Sequence, residues 1–304
     1  MSVKTALLFP GQGAQTVGMG RVLDQDVPAA RALFDRANEV LGFDLRALCF
    51  DGPAEALSAT DVSQPAIFVA SLAALEGLKV EQPDLVAGVA GAAGLSLGEY
   101  TALVFAGALD FEAGLRLVQR RGQAMQAAAL ATPSGMISVL GLDEAKVDEL
   151  CARVAPHGRL WKANMLGTGN IVVSGEAEAL DQVAPIAEEL GAMKVVRLVV
   201  AGAFHTPLMD PAARELAKVL ADTTFQTPRL PVYSNVDAKV HTDPDDLRQT
   251  LIAQVIGGVR WDESIRQMID DGYDTFYEVG PGRVLTGLLK RINRKIPCTS
   301  VPAR

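Results

Sequence analysis

Cysteine and histidine are scarce in this sequence, with 3 of each among 304 residues. Cys49, Cys151 and Cys298 stand far apart, with no C-x-x-C and no His beside them, which excludes a disulfide framework and a zinc knuckle. Basic residues are also outnumbered, 28 Lys+Arg against 36 Asp+Glu, and the net charge of −8 argues against general nucleic-acid binding. No run approaches the ~20 apolar residues of a membrane span. The short apolar run Ala6–Phe9 is followed by Pro10-Gly11 and is too brief for a signal-peptide core. There is no G-x-x-x-x-G-K-[ST], so a P-loop is excluded, and Gly11-Gln12-Gly13 lacks the third glycine of a dinucleotide site. These absences point to a reduced, cytoplasmic chain. What is present, 49% hydrophobic and 21% charged residues, is a globular composition.

Strand, turn and helix patterns alternate through the first part of the chain. Leu7–Phe9 reads as a buried strand, Ala29–Leu41 and Ala66–Leu78 as helices, and Leu85–Ala93 as a small-residue strand. Tyr100–Ala106 and Phe111–Ala129 again look helical. The middle differs: strand 135–140, helix 142–154, strands 160–163 and 170–174, helix 177–190 and strand 194–200. That β-α-β-β-α-β order is a ferredoxin-like unit. The larger pattern then resumes, with helix 211–220, strand 231–234, helix 245–255, strand 275–279 and helix 284–292. The expected fold class is α/β. A hydrolase-like core with a mostly parallel sheet, 1–130 and 201–304, is interrupted by a ferredoxin-like α+β subdomain at 131–200.

The sharpest local signal is Gly94-Leu95-Ser96-Leu97-Gly98, a G-x-S-x-G between a strand and a helix. A nucleophile elbow needs small neighbours because its serine sits on a strained turn. At a helix N-terminus the macrodipole favours a developing alkoxide, and the Leu97 N–H can donate to an oxyanion. Such a serine needs a base. His157 lies in a Pro-Gly turn and His241 at a strand end, both readable as solvated loop residues. His205 lies in a loop of small residues closed by Pro207, suited to placing one side chain. No Asp or Glu stands out as its orienting partner, which leaves a dyad or an imidazole held by a backbone carbonyl. In Arg120-Arg121, on an apolar-periodic helix, one arginine must face inward. It serves either a structural ion pair or a ligand carboxylate.

Taken together, these segments resemble the malonyl-CoA:acyl-carrier-protein transacylases of fatty-acid synthesis. The matching stretches are Phe9–Gly13, Gly94–Tyr100, Arg121–Met125, Phe204–Met209, Gln254 with Val259–Trp261, and Glu278–Gly282, in the family's order over nearly the whole chain. The resemblance implies Ser96 as nucleophile, His205 as general base and then acid, and the Gln12 and Leu97 N–H groups as oxyanion hole. It implies Arg121 as the clamp for the malonyl carboxylate, the Gln254 carbonyl as the orienter of the histidine, and Asn164 beside the acyl pocket. Phe204 resembles the bulky residue of malonyl-selective members. No metal or cofactor is implied. The partners would be malonyl-CoA and acyl carrier protein, from fatty-acid or polyketide synthesis, with a monomeric enzyme and no nucleic acid or membrane. Lys290, Arg291 and Arg294 are candidates for docking an acidic carrier, or simply a solvated helix end. Two departures stand out: Leu95 replaces the family's elbow histidine, and Asn170 ends a loop the family usually closes with Gln. A serine thioesterase and a non-catalytic acyl-CoA-binding module are the competing readings.

Overall fold

The computed structural model describes residues 3–304. Five strands form one sheet: β1 (Thr5–Phe9), β2 (Val89–Gly94), β7 (Val232–Tyr233), β8 (Thr275–Gly280) and β9 (Cys298–Pro302). Their order is β7-β2-β1-β8-β9, and every pairing is parallel. A second sheet of four antiparallel strands has the order β4-β5-β3-β6, from β3 (Ser134–Leu140), β4 (Leu160–Gly167), β5 (Asn170–Glu176) and β6 (Lys194–Arg197). With helices Glu144–Val154, Ala177–Leu180 and Val183–Glu189, these strands make the expected β-α-β-β-α-β succession. The fold is thus an α/β protein with a parallel core sheet and a separate α+β sheet.

The parallel sheet is covered on both faces, so β1 reads Ala6-Leu7-Leu8-Phe9 with all four side chains fully buried. Its main helical support is Thr60–Glu81, which runs longer than its apolar pattern shows. Most of its side chains are buried around the whole circumference, and a helix buried on all sides shows no polar stripe to mark its ends. Helix Phe111–Ala131 packs against it, starting from Asp110, whose carboxylate accepts the Ala113 N–H at 2.7 Å.

Several segments differ from the sequence expectation, among them helix Trp261–Asp270, which it lacks, and the expected helix 177–190, which is broken in two. Leu85–Ala93 is not one strand: Pro83 opens a short helix to Ala87, and pairing begins only at Val89. The final strand of the insert stops at Arg197, and Leu198–Val200 instead borders a cleft. The edge strand β9 is absent from the sequence reading, because its half-buried Cys298-Thr-Ser-Val-Pro302 has no clean alternation.

The two sheets are joined close to the parallel strand ends. Met165 N donates to Val259 O at 2.9 Å and Val259 N donates to Ala163 O at 2.8 Å, so β4 is pinned to the segment following helix Pro244–Ile256. Residues on β3 and β4 therefore face residues at the carboxyl ends of β1 and β2 across the cleft.

Candidate active site

β2 ends at Gly94 and helix Gly98–Phe105 begins four residues later, so the chain reverses direction at Ser96. The turn is possible only with glycine at both ends. A Cβ on Gly94 would lie 1.9 Å from the Gly98 carbonyl carbon, and one on Gly98 would lie 2.1 Å from Phe9 O. Ser96 itself has φ 52, and His205 has φ 60. They are two of only three non-glycine residues with positive φ among the described residues. Strain of this kind persists where the surroundings over-determine the backbone.

Those surroundings are visible. The Ser96 N–H donates to Asn235 Oδ1 at 2.6 Å, and Asn235 Nδ2 donates to Gly94 O at 2.8 Å, so one side chain staples both arms of the elbow. In the loop before helix Asp210–Ala221, Thr206 Oγ1 donates to Ala203 O at 2.7 Å and fixes the approach of His205.

The Ser96 Oγ lies 2.8 Å from His205 Nε2, and His205 Nδ1 lies 2.8 Å from the Gln254 carbonyl oxygen. A carbonyl can only accept, so Nδ1 holds the ring proton and Nε2 is left free to accept from Ser96. No acid follows the histidine. Burial pushes the imidazole down to about 4, with the Arg121 charge adding to the effect and the Gln254 and Gly257 backbone opposing it. The ring is therefore neutral, and able to take a proton, at ordinary pH.

Of the arginine pair, Arg121 is the buried one (1% exposed) and Arg120 is exposed. Arg121 Nη1 donates to Gln64 Oε1 at 2.8 Å, and Nη2 donates to Ser96 Oγ at 2.9 Å and Gln254 Oε1 at 3.0 Å. Its Nε has no partner, and all of these acceptors are neutral. The guanidinium sits 5.5 Å from the Tyr100 ring centroid. A buried cation held without a carboxylate among the described residues is an unsatisfied site for an anion.

Ser96, Arg121 and His205 line a cleft with a volume of about 420 Å³, and Leu97 and Gln254 lie behind its lining. Gln12, Leu95, Asn164 and Phe204 border it beside Ser96, Arg121 and His205. The Gln12 and Leu97 backbone N–H groups donate to no acceptor among the described residues, although both flank the nucleophile's turn. Asn164 Oδ1 is buried without a partner on β4. Gln254 contributes its side chain as well as its carbonyl. Asn170 is elsewhere, opening β5 and accepting from Ser138 Oγ at 3.5 Å. His157 is exposed in a 3₁₀ turn, and His241 meets Asp237 at 3.1 Å; neither borders the cleft. Lys290, Arg291 and Arg294 are exposed around the end of helix Val284–Ile292.

Three buried residues of this site escape the sequence reading: Asn235, Glu99 and Gln64. For Asn235 a signal existed, since it follows a parallel strand at its carboxyl end, where open α/β sheets place ligand-binding groups. Glu99 and Gln64 lie within helical patterns and give none.

The chain is similar to known proteins over nearly its whole length. Residues 6–303 match the family model described as an acyl transferase domain. The chain is 42% identical over 301 residues to the malonyl CoA-acyl carrier protein transacylase of Bacillus subtilis, covering 98% of this chain and 93% of that protein. An acyl-carrier-protein-S-malonyltransferase from Bartonella henselae superposes with a TM-score of 0.95 at 39% identity, covering 98% and 95% of the two chains. A malonyl-transacylase solved in complex with its type II PKS acyl-carrier protein superposes at 0.92 with 37% identity, covering 98% and 95%. The chain belongs to the acyl transferase domain family and, within it, to the malonyl-CoA–acyl carrier protein transacylases.

Proposed function

We propose that this protein moves the malonyl group from malonyl-CoA to the phosphopantetheine thiol of acyl carrier protein, through a malonyl ester on Ser96, in support of fatty-acid synthesis. The observation that carries the reading is the buried Arg121 guanidinium, free of any carboxylate partner and 2.9 Å from Ser96 Oγ. A malonyl group brings the missing carboxylate to that place. In this reading residues 1–130 and 201–304 form the catalytic core, and 131–200 form a subdomain that supplies the opposite wall of the cleft.

The steps follow from the partners of Ser96. His205 Nε2 takes the Oγ proton as Oγ attacks the thioester carbonyl carbon. The negative charge on the carbonyl oxygen is met by the unpaired N–H groups of Gln12 and Leu97. When the tetrahedral centre collapses, the C–S bond breaks, and the imidazolium returns its proton to the departing CoA sulfur. The ester remains on Ser96 with its free carboxylate against Arg121. The carrier's thiol then gives its proton to His205 and attacks the ester, and the same steps run in reverse. Throughout, the Gln254 carbonyl accepts the Nδ1–H and steadies the imidazolium, the task given to an aspartate in a triad.

The depressed His205 sets the acid side of the pH profile. A lowered value means that the base stays unprotonated as pH falls through the usual 6.5, and is lost only near about 4. The kcat/KM for acylation by malonyl-CoA is expected to hold through pH 5–6 and fall on an acid limb near 4. A limb at 6.5 would refute the buried, Arg121-facing imidazole as the base.

Transfer is separated from hydrolysis by the fate of the acyl-enzyme. Malonyl-enzyme isolated and mixed with holo acyl carrier protein is expected to lose its acyl group to the carrier thiol far faster than to water. Equal rates would make the protein a thioesterase.

A further inference from the structure

We propose that Glu99 is a positioning residue for acyl-group selectivity, acting through the side-chain amide of Gln254 to hold the Arg121 guanidinium against the nucleophile. The inference rests on the reading of Arg121 as the malonyl clamp, and deepens it.

Glu99 lies in the first turn of helix Gly98–Phe105, yet its side chain does not cap that helix. It turns inward, 2% exposed, and its Oε2 accepts two N–H groups: Gln254 Nε2 at 2.6 Å and the Asn235 backbone at 3.0 Å. Gln254 Nε2 also donates to Ser96 O at 3.1 Å, and Gln254 Oε1 accepts from Arg121 Nη2 at 3.0 Å. These contacts admit only one direction for the amide. Reversed, its oxygen would face the Ser96 carbonyl and the Glu99 carboxylate, two acceptors. Its NH₂ would face the guanidinium, a donor with nothing to accept. Glu99 thereby keeps an acceptor turned toward Arg121, and with Gln64 Oε1 on the other side the guanidinium is held between two amide oxygens.

The same carboxylate supports the elbow by a second route. By accepting the Asn235 N–H it fixes the residue whose Oδ1 receives the Ser96 N–H. The nucleophile and the clamp are thus referenced to a single buried oxygen. Burial raises the carboxyl to about 7, opposed by the Asn235, Gln254 and Ser234 hydrogen bonds and by Arg121.

The test compares Glu99→Met, which removes both oxygens at similar length, with Glu99→Gln, which keeps one acceptor. The readout is the ratio of kcat/KM for Ser96 acylation by malonyl-CoA to that by acetyl-CoA. Glu99→Met is expected to lower this ratio by about tenfold or more, with a raised KM for malonyl-CoA, and Glu99→Gln to restore it within about threefold. In a Gln254→Met background, Glu99→Met is expected to cause no further loss of the ratio. A Glu99→Met enzyme that is slowed equally on both substrates, or a ratio that still falls when Gln254 is Met, would overturn the proposal. Should Glu99→Met fail to unfold cooperatively, Glu99→Asp withdraws the carboxylate by one methylene and is judged on the same ratio. A parental enzyme that forms no Ser96 malonyl ester would instead refute the functional reading, independently of Glu99.

Discussion

Ser96→Ala is expected to abolish the covalent malonyl adduct seen by intact mass after incubation with malonyl-CoA, and to slow carrier malonylation by at least about 10⁴-fold. The size follows from what the hydroxyl does. It lies 2.8 Å from His205 Nε2, and both half-reactions pass through its ester. The fold does not depend on it. The Ser96 N–H, not the side chain, is held by Asn235, and Oγ only accepts from Arg121 and donates to His205. The variant is therefore expected to retain its cooperative unfolding. Adding His205→Ala is expected to cost little more, because a nucleophile and its base act as a unit and their losses are not additive. An adduct that survives Ser96→Ala would move the chemistry to another residue.

The legibility of the site in the sequence follows the physical constraint on each part. Gly94 and Gly98 stand out because a side chain at either would collide with backbone, so the residue type records the geometry directly. Three histidines leave few choices for a base, and His205 follows the last strand of the antiparallel sheet. The buried arginine shows itself as a charge on an apolar face. Glu99 and Asn235 are different. Nothing local distinguishes a glutamate in a helix's first turn from an ordinary favourable charge, and its partners lie 136 and 155 residues away. The Arg121 setting is equally non-local, since Gln64 and Gln254 approach from 57 and 133 residues away. The parallel core is legible in β1 and β8, whose buried runs bear the strand pattern. β9 is not, because an edge strand with intermediate burial has neither a continuous apolar run nor clean alternation.

Arg121→Ala is expected to separate the two acyl groups. With malonyl-CoA, truncation leaves the acyl carboxylate in the cleft without the buried cation that faced it. Losing one member of such a pair costs about 2–5 kcal/mol, or roughly 30- to 5,000-fold in acylation rate. With acetyl-CoA no carboxylate is present, and two smaller effects oppose each other. The Gln64 and Gln254 amide oxygens lose their donor, and Ser96 Oγ loses one hydrogen bond, which loosens the nucleophile. Against this, removing the nearby positive charge relieves part of the depression of His205 and makes it the stronger base. Acetyl acylation is therefore expected to change far less, and the acid limb of its pH profile to move upward from about 4. Arg121→Lys keeps the charge but not the planar fork that reaches Gln64, Gln254 and the substrate together, so it is expected to recover only part of the malonyl rate. The deciding measurement is single-turnover acylation with the two acyl-CoAs side by side. Equal loss for malonyl and acetyl would show that Arg121 supports the cleft without recognising the acyl carboxylate.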